Sequence, residues 1–261
     1  MNKLTIVKIG GQVLDDAAAL TEFVQLFAQI EGQKILVHGG GKTLSELALQ
    51  LGIEPQFVDG RRITDQASMR LATMVYAGLI NKNLVAELQQ HQCDALGLSG
   101  ADAHLIQTVK RATDPIDFGY VGDLTASSIN DKRIIQLLEL GLCPVFSAIT
   151  YDDQGQLLNT NADGIASALA IALSKSHCVS LIYCFEKKGV LSDVHDDHAV
   201  IPVILATDKE ELIAKSVISK GMIPKLDNAW LASERGVQSV IIKKSTDLLD
   251  VNAGTQIQFH S

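Results

Sequence analysis

The segment 34–51, KILVHGGGKTLSELALQL, predicts a β-strand, a glycine turn and an α-helix in direct succession. Residues 35–37 are continuously apolar, which is typical of a strand covered on both faces of a parallel sheet. Three glycines follow, and apolar side chains then recur at helical spacing at positions 44, 47, 48 and 51. A buried strand that leads through a tight turn into an amphipathic helix indicates an α/β protein.

The same alternation extends over the rest of the chain. Further strands are predicted at 4–9, 95–98, 144–149, 179–183 and 237–242, and further helical faces at 20–30 and 69–88. The interval 104–130 breaks this rhythm with short strands and turns, which indicates a hairpin excursion. We therefore predict a three-layer α/β sandwich around a mainly parallel central sheet. No linker divides the chain, so we expect two lobes, 1–174 and 175–261, that share the sheet.

Composition excludes several classes of protein. Hydrophobic residues make up 47% and charged residues 20% of the 261 positions, a globular balance that argues against disorder. A net charge of −8 argues against nucleic-acid binding, and no apolar run is long enough to span a bilayer. The four cysteines show no CxxC spacing and are expected to be buried thiols. The start shows no signal-peptide pattern, so we expect a cytoplasmic protein.

Two glycine turns, each next to a lysine, are candidate anion-binding sites. Gly10 and Gly11 follow Lys8 at the end of the first strand, and Gly39 to Gly41 end the second. Glycine lets backbone N–H groups approach an anion, and a helix N-terminus adds partial positive charge. The alternative is that the glycines only permit tight turns. A P-loop is excluded because position 36 is leucine, and the spaced glycines of a dinucleotide fold are missing.

Three charged residues elsewhere are ambiguous when they are considered singly. Asp163 precedes a predicted helix and could simply be an acid favoured by the helix dipole. Lys225 follows a Gly/Pro turn, where a lysine is usually solvated. Arg62 lies in a polar loop before the long central helix.

Together, and in this order, these features resemble the amino-acid kinase family, and within it the branch that acts on N-acylated glutamate. The resemblance covers essentially the whole chain. It runs through KIGG at 8–11, VHGGG at 37–41, DGRRIT at 59–64, NK at 81–82, LSGAD at 98–102, GYVGD at 119–123, NTNAD at 159–163 and GMIPK at 221–225.

The resemblance implies a role for each site residue. Lys8 and Lys225 would neutralise the transferring phosphoryl group, and Asp163 would hold both ammonium groups in place. The acceptor would be bound by Arg62, Asn159, Gly40 and Gly41, with Arg62 on its α-carboxylate. The phosphates and nucleotide would be bound by Gly11, Glu186 and Gly221. Relatives carry Thr/Ser-Asp-Val-x-Gly where this chain has Cys184-Phe185-Glu186-Lys187-Lys188-Gly189.

The resemblance also implies the reaction. MgATP would be the co-substrate and N-acetyl-L-glutamate the acceptor, as in arginine biosynthesis, with no tightly bound cofactor and no metal site. A carboxylate acceptor is already ionised at pH 7, so no general base is needed. Three alternatives stay open: an N-succinyl acceptor, a sibling kinase acting on aspartate, glutamate or an N-acylaminoadipate, and a non-catalytic binding protein.

The resemblance bears on assembly as well. Arginine-inhibited members form hexamers through an extra amino-terminal helix, whereas here a catalytic-type lysine already stands at position 8. We therefore expect a homodimer that is insensitive to arginine. The helical face 69–88 is the candidate interface, unless it packs against the sheet in the ordinary way.

Overall fold

The computed structural model describes residues 1–193, 195–215, 217–218 and 222–259. Its strands are β1 Asn2–Ile9, β2 Gln33–His38, β3 Phe57–Val58, β4 Arg61–Arg62, β5 Ala95–Leu98, β6 Val109–Lys110, β7 Val121–Asp123, β8 Cys143–Phe146, β9 Ile149–Tyr151, β10 Leu157–Thr160, β11 His177–Phe185, β12 Val203–Leu205, β13 Ser239–Lys244 and β14 Thr255–Gln258. Its α-helices are α1 Gly11–Asp15, α2 Ala17–Ala28, α3 Gly41–Gln50, α4 Gln66–Ala72, α5 Asn81–Gln90, α6 Asp131–Glu139, α7 Ala162–Leu173, α8 Lys209–Ala214 and α9 Ile223–Glu234. Thr73–Ile80 is π-helical, and Asp102–His104, Ala206–Asp208 and Ser245–Asp247 are 3₁₀ turns.

A large, mostly parallel sheet forms the centre of the molecule. Within the described residues its strand order is β12-β14-β13-β11-β1-β2-β8-β5, and β13–β14 is its antiparallel pairing. β1 is central and pairs in parallel with β11 on one side and β2 on the other. Strands from both sides of position 174 therefore belong to one sheet, as the sequence predicted.

Helices cover both faces of this sheet. Consecutive residues at 6–9 in β1 are all buried, so neither face of the strand meets solvent. On one side α7 packs on β1, β2 and β11 and contacts α6 and α9, while α2 and α5 contact each other in the other layer. The predicted three-layer sandwich is confirmed.

A second sheet carries part of the chain away from the centre. Its strand order is β6-β7-β10-β9, and β6–β7 is the antiparallel excursion predicted at 104–130. The single strand predicted at 144–149 is wrong, because β8 ends at Phe146 in the central sheet and β9 begins at Ile149 in the second one. A run of apolar residues indicates that the segment is buried, but it does not indicate where the chain passes from one sheet to another.

The predicted central helix is present, but its middle is π-helical. The run 66–90 consists of α4, the π-helical turns and α5. The wider turn, with hydrogen bonds from i to i+5, displaces the expected apolar face, so Leu79 is 51% exposed while Val75 and Ile80 are buried. Most of the face proposed as an interface, from Met69 to Leu88, is buried within the chain. Most of that face therefore packs within the chain, as the alternative of ordinary packing expects, and an interface stays a prediction for its exposed residues.

The cysteines and the helices agree with the composition. All four cysteines are free; Cys93, Cys143 and Cys184 are buried and Cys178 is partly buried. Among the helices of the described ranges, none is long and apolar enough to cross a membrane.

Candidate active site

The site lies where the central strands β1 and β2 end in glycine turns. In open α/β sheets, ligands bind in the crevice outside the carboxyl ends of the strands. β1 delivers Lys8 there, and β2 is followed by Gly39 to Gly41 and α3. β11, the other neighbour of β1, ends beside the same turn with Cys184 in register with Ile9.

A buried ion pair joins this edge of the sheet to helix α7. Nζ of Lys8 lies 2.7 Å from Oδ1 of Asp163, and each side chain is only 8% exposed. The contact is an ion pair that lacks hydrogen-bond geometry. Asp163 is held in the first turn of α7, whose N-cap Asn161 accepts a hydrogen bond from the N–H of Gly164. The strand and the helix thus fix the two charges predicted to work together.

Lys225 is brought to the same place by α9, whose first turn contains Pro224. Burial lowers the pKa of Lys225 below that of an ordinary lysine, and the nearby charge of Lys8 lowers it further. The negative charges of Asp163 and Glu186 raise the pKa of Lys225. The structure therefore gathers Lys8, Lys225, Asp163 and Glu186 into one electrostatic cluster, although they are up to 217 positions apart in sequence.

The two glycine turns border this cluster. Gly40 has φ of 145°, and a Cβ there would lie 2.1 Å from Cδ1 of Ile80, so only glycine fits. A Cβ on Gly41 would have no neighbour within 4 Å, because that residue faces open space. Gly11 begins α1 directly after β1. In the amide orientation that satisfies both groups, Gln12 donates to the two carboxylate oxygens of Glu186 at 2.9 and 3.2 Å.

Arg62 is held in place by neighbours from three elements. Its Nη2 donates to the carbonyl of Gly41 at 3.0 Å and to Oγ of Ser45 at 2.7 Å. The guanidinium also lies over the ring of Phe57, 4.7 Å from its centroid. Tyr76 faces it from the π-helical turns, where burial raises the pKa of its hydroxyl to about 12. Because these neighbours hold one side of the guanidinium, its remaining N–H groups are available to bind a carboxylate.

Asn159 projects from β10 in the second sheet. Its Nδ2 donates to Oγ1 of Thr64 at 3.1 Å, and Thr64 is fully buried just beyond β4. This hydrogen bond connects the segment that carries Arg62 to the segment that leads into α7.

An open cleft of about 1420 Å³ connects these groups. Six of the residues predicted for the site line it: Gly40, Gly41, Arg62, Asn159, Asp163 and Lys225. Lys8 contacts Asp163, which lines the cleft, whereas Gly11 and Glu186 do not line it. Glu186 is instead bound by Gln12, the residue after Gly11. Gly221, predicted to contact the nucleotide, lies outside the described residues.

Several residues of the site could not be identified from the sequence. Tyr76 and Phe57 have the pattern of ordinary apolar residues, and Ser45 has that of a helix surface. The one signal for Ser45 and Phe57 is proximity in sequence to a glycine turn or to Arg62, and Tyr76 has none. His38, the last residue of β2, is buried, and its Nε2 lies 3.0 Å from Nδ2 of Asn81. In the described part of the chain, no group of three or more His, Cys, Asp or Glu side chains could hold a metal ion.

Comparison with known proteins assigns this arrangement to a family. The sequence model of the amino acid kinase family matches residues 3–244. The chain belongs to the amino acid kinase family.

Relatives within this family share one activity in their names. An acetylglutamate kinase of Cytophaga hutchinsonii is 50% identical over 252 residues, covering 96% of this chain and 95% of the relative. One from Bacteroides thetaiotaomicron is 47% identical over 256 residues, covering 98% of both chains. One from the more distant Methanopyrus kandleri is 37% identical, covering 95% of this chain and 97% of the relative.

Solved structures show the same amino acid kinase fold. The smu.665 protein of Streptococcus mutans superposes with a TM-score of 0.80 at 30% identity and covers 98% of both chains. Aspartokinase III of E. coli superposes with a TM-score of 0.68 at 14% identity, over 99% of this chain and 65% of its own, and supports the fold alone.

Proposed function

We propose that this chain is an ATP-dependent kinase that phosphorylates the γ-carboxylate of N-acetyl-L-glutamate, a reaction of arginine biosynthesis. One observation carries the proposal: a cleft joins Lys225 and the buried pair of Lys8 and Asp163 at one end to the two residues Arg62 and Asn159 at the other. Relatives of 46 to 50% identity that are named acetylglutamate kinase support it.

Arg62 and Asn159 form the acceptor end of the proposed site. Arg62 has Gly41, Ser45 and Phe57 on one side, so its free N–H groups would pair with the α-carboxylate. Nδ2 of Asn159 donates to Thr64, which fixes the orientation of the side-chain amide. The side-chain carbonyl oxygen of Asn159 can then accept a hydrogen bond from the amide of the acceptor. Binding both groups leaves the γ-carboxylate directed towards the glycine turns.

The lysines form the transfer end. An oxygen of the γ-carboxylate forms a bond to the γ-phosphorus, and the bond from that phosphorus to the β–γ bridging oxygen breaks, with its electron pair leaving on ADP. Charge spreads over the phosphoryl oxygens in this transition state. Lys8 and Lys225 would stabilise it from two sides, and backbone N–H groups at Gly11 and Gly40 would add donors. Asp163 would keep the ammonium groups in position.

The lobes would divide these tasks. We assign the acceptor to lobe 1–174, which contains Arg62 and Asn159, and MgATP to lobe 175–261, which contains Glu186 and Lys225. The Mg²⁺ arrives with the nucleotide as part of the substrate.

The reaction is tested by measuring ADP release with MgATP and a panel of acceptors. We expect N-acetylglutamate to be phosphorylated, with hydroxylamine trapping the acyl phosphate as a hydroxamate. N-succinylglutamate, glutamate, aspartate and N-acetylaminoadipate complete the panel. A better rate with unacylated glutamate or aspartate would show that the acceptor is wrong. Tight binding of N-acetylglutamate without turnover would favour the non-catalytic alternative.

We also propose that the protein is a cytoplasmic homodimer. Free cysteines fit a reducing compartment.

The helical run 66–90 offers two exposed residues for contact with a second copy, although most of its face 69–88 is buried. Met74 is 65% and Leu79 51% exposed. Light scattering should give twice the 28.1 kDa chain mass. Met74→Glu with Leu79→Glu should give the mass of one chain, whereas Leu140→Glu, at an apolar residue that is 73% exposed, should leave the mass of two chains. A monomeric or hexameric wild type would contradict the homodimer.

A further inference from the structure

An aromatic ring lies against both lysines of the cluster. Phe185 is the last residue of β11, next to β1 in the central sheet. The ring centroid is 4.2 Å from Nζ of Lys225 and 5.6 Å from Nζ of Lys8. A Cβ at Gly10 would lie 3.6 Å from Cδ1 of the ring, an ordinary van der Waals distance, so the ring lies directly against the glycine turn that follows β1.

Two ammonium groups that share a small, partly buried space repel each other. Two carboxylates face Lys225, but Lys8 already contacts Asp163 at 2.7 Å, and Gln12 binds both oxygens of Glu186. A further carboxylate would hold Lys225 more strongly, but it would also repel the phosphates that the lysines must bind. The face of an aromatic ring attracts a cation through its quadrupole without carrying net charge. The ring can therefore hold Lys225 without weakening the attraction for an anionic ligand.

We propose that Phe185 is a positioning residue that holds the ammonium groups of Lys225 and Lys8 for phosphoryl transfer by cation–π contact. This inference rests on the proposed function for its catalytic consequence. Phe185 is not among the described residues that line the cleft, so its ring would act through the lysines. Its effect is preorganisation: the two charges are already directed at the transfer position before the nucleotide binds.

The distances indicate which lysine depends more on the ring. Lys225 is within the range of a close cation–π contact, and Lys8 is near its outer limit of about 6 Å. Lys8 is also fixed by Asp163, whereas no ion pair of Lys225 is found among the described residues. Loss of the ring should therefore release Lys225 first.

The test replaces the ring electrostatics while keeping its shape. Phe185→pentafluorophenylalanine reverses the quadrupole of the ring at nearly the same volume. Phe185→Leu removes the ring and its quadrupole, whereas Phe185→Tyr retains the quadrupole. We expect the first two to lower kcat by about 3- to 30-fold, the range for a partly desolvated cation–π contact. Phe185→Tyr should resemble the wild type. The KM for the acceptor should not change, because Arg62 and Asn159 are untouched.

A second measurement follows the ammonium group directly in the free protein. NMR titration of the Lys225 side chain should give a lower pKa in the pentafluorophenylalanine variant than in the wild type, since the ring favours the charged form. The charged groups facing Lys225, which are Lys8, Asp163 and Glu186, stay the same in every variant.

The outcomes separate this inference from the proposed function. Equal kcat and equal Lys225 pKa in wild type and pentafluorophenylalanine variant would show that the ring is only a steric cover. If Phe185→Leu does not fold, the isosteric variant still decides. If the wild type phosphorylates no N-acylglutamate, the proposed function fails, while the Lys225 titration still supports or overturns the contact.

Discussion

Lys8→Ala is expected to lower kcat by about 10²–10³-fold, the range for loss of one preorganised charge-stabilising donor. The reason is its position at the end of β1, where the ammonium group is buried, paired with Asp163 and adjacent to Lys225. Water cannot replace a charge held in this geometry without reorganisation. Steady-state kinetics with saturating MgATP and acceptor give the measurement. Because the donor acts on the transition state, kcat and kcat/KM should fall together.

Removal of Lys8 also leaves a buried carboxylate without its partner, which can destabilise the protein. Breaking a buried ion pair on one side typically costs about 3–5 kcal/mol. The double variant Lys8→Met with Asp163→Asn separates the effects, because it removes both charges. We expect the double variant to regain stability in urea unfolding but not to regain kcat.

A matched control exists in the same cleft. Lys42 lines the cleft beside Gly41, but its side chain is 62% exposed and its Nζ is 4.0 Å from a Glu46 oxygen. Lys42→Ala should leave kcat within about twofold, because an exposed charge contributes little. A normal kcat in Lys8→Ala, or an equal loss of kcat in Lys8→Ala and Lys42→Ala, would contradict the proposed mechanism.

The parts of the fold that the sequence predicted are those with a strong local pattern. β1, β2 and β11 are continuous apolar runs, and burial on both faces of a parallel sheet requires such runs. β10, β12 and β14 were not predicted, since strands of three or four residues are too short to show a distinctive period. The π-helical turns were also unforeseen, because Thr73–Ile80 does not differ from α-helical sequence in composition.

The candidate site shows a different limit. The resemblance of the whole chain to a family predicted five site residues, each of which has an ordinary explanation when it is considered alone: Lys8, Arg62, Asn159, Asp163 and Lys225. What joins them is strand register and helix position, which no local pattern encodes. The same holds for Phe185, whose contact with both lysines depends on β11 ending beside β1 and on α9 starting opposite.

Arg62→Lys is expected to raise the KM for the acceptor by about 10- to 100-fold, which corresponds to loss of charged hydrogen bonds worth roughly 1.5–3 kcal/mol. Lysine keeps the charge but not the planar fork that pairs with both oxygens of a carboxylate. It also cannot donate to Gly41 and Ser45 in the present geometry while it reaches the substrate. The lost contact is made equally in the ground state and the transition state, so kcat should change little.

The adjacent residue provides the control and also tests the lobe assignment. Arg61 precedes Arg62 in β4, is exposed and lines the same cleft, so Arg61→Lys is the same chemical change one position away. Successive side chains of a strand point to opposite faces, so only Arg62 can occupy the pocket formed by Ser45, Phe57 and Tyr76. The KM for ATP should stay constant in both variants, because lobe 1–174 is assigned to the acceptor. If Arg62→Lys instead raises the KM for ATP, or if Arg61→Lys has the same effect on the acceptor, Arg62 does not bind the α-carboxylate and the two ends of the cleft have been assigned in the wrong order.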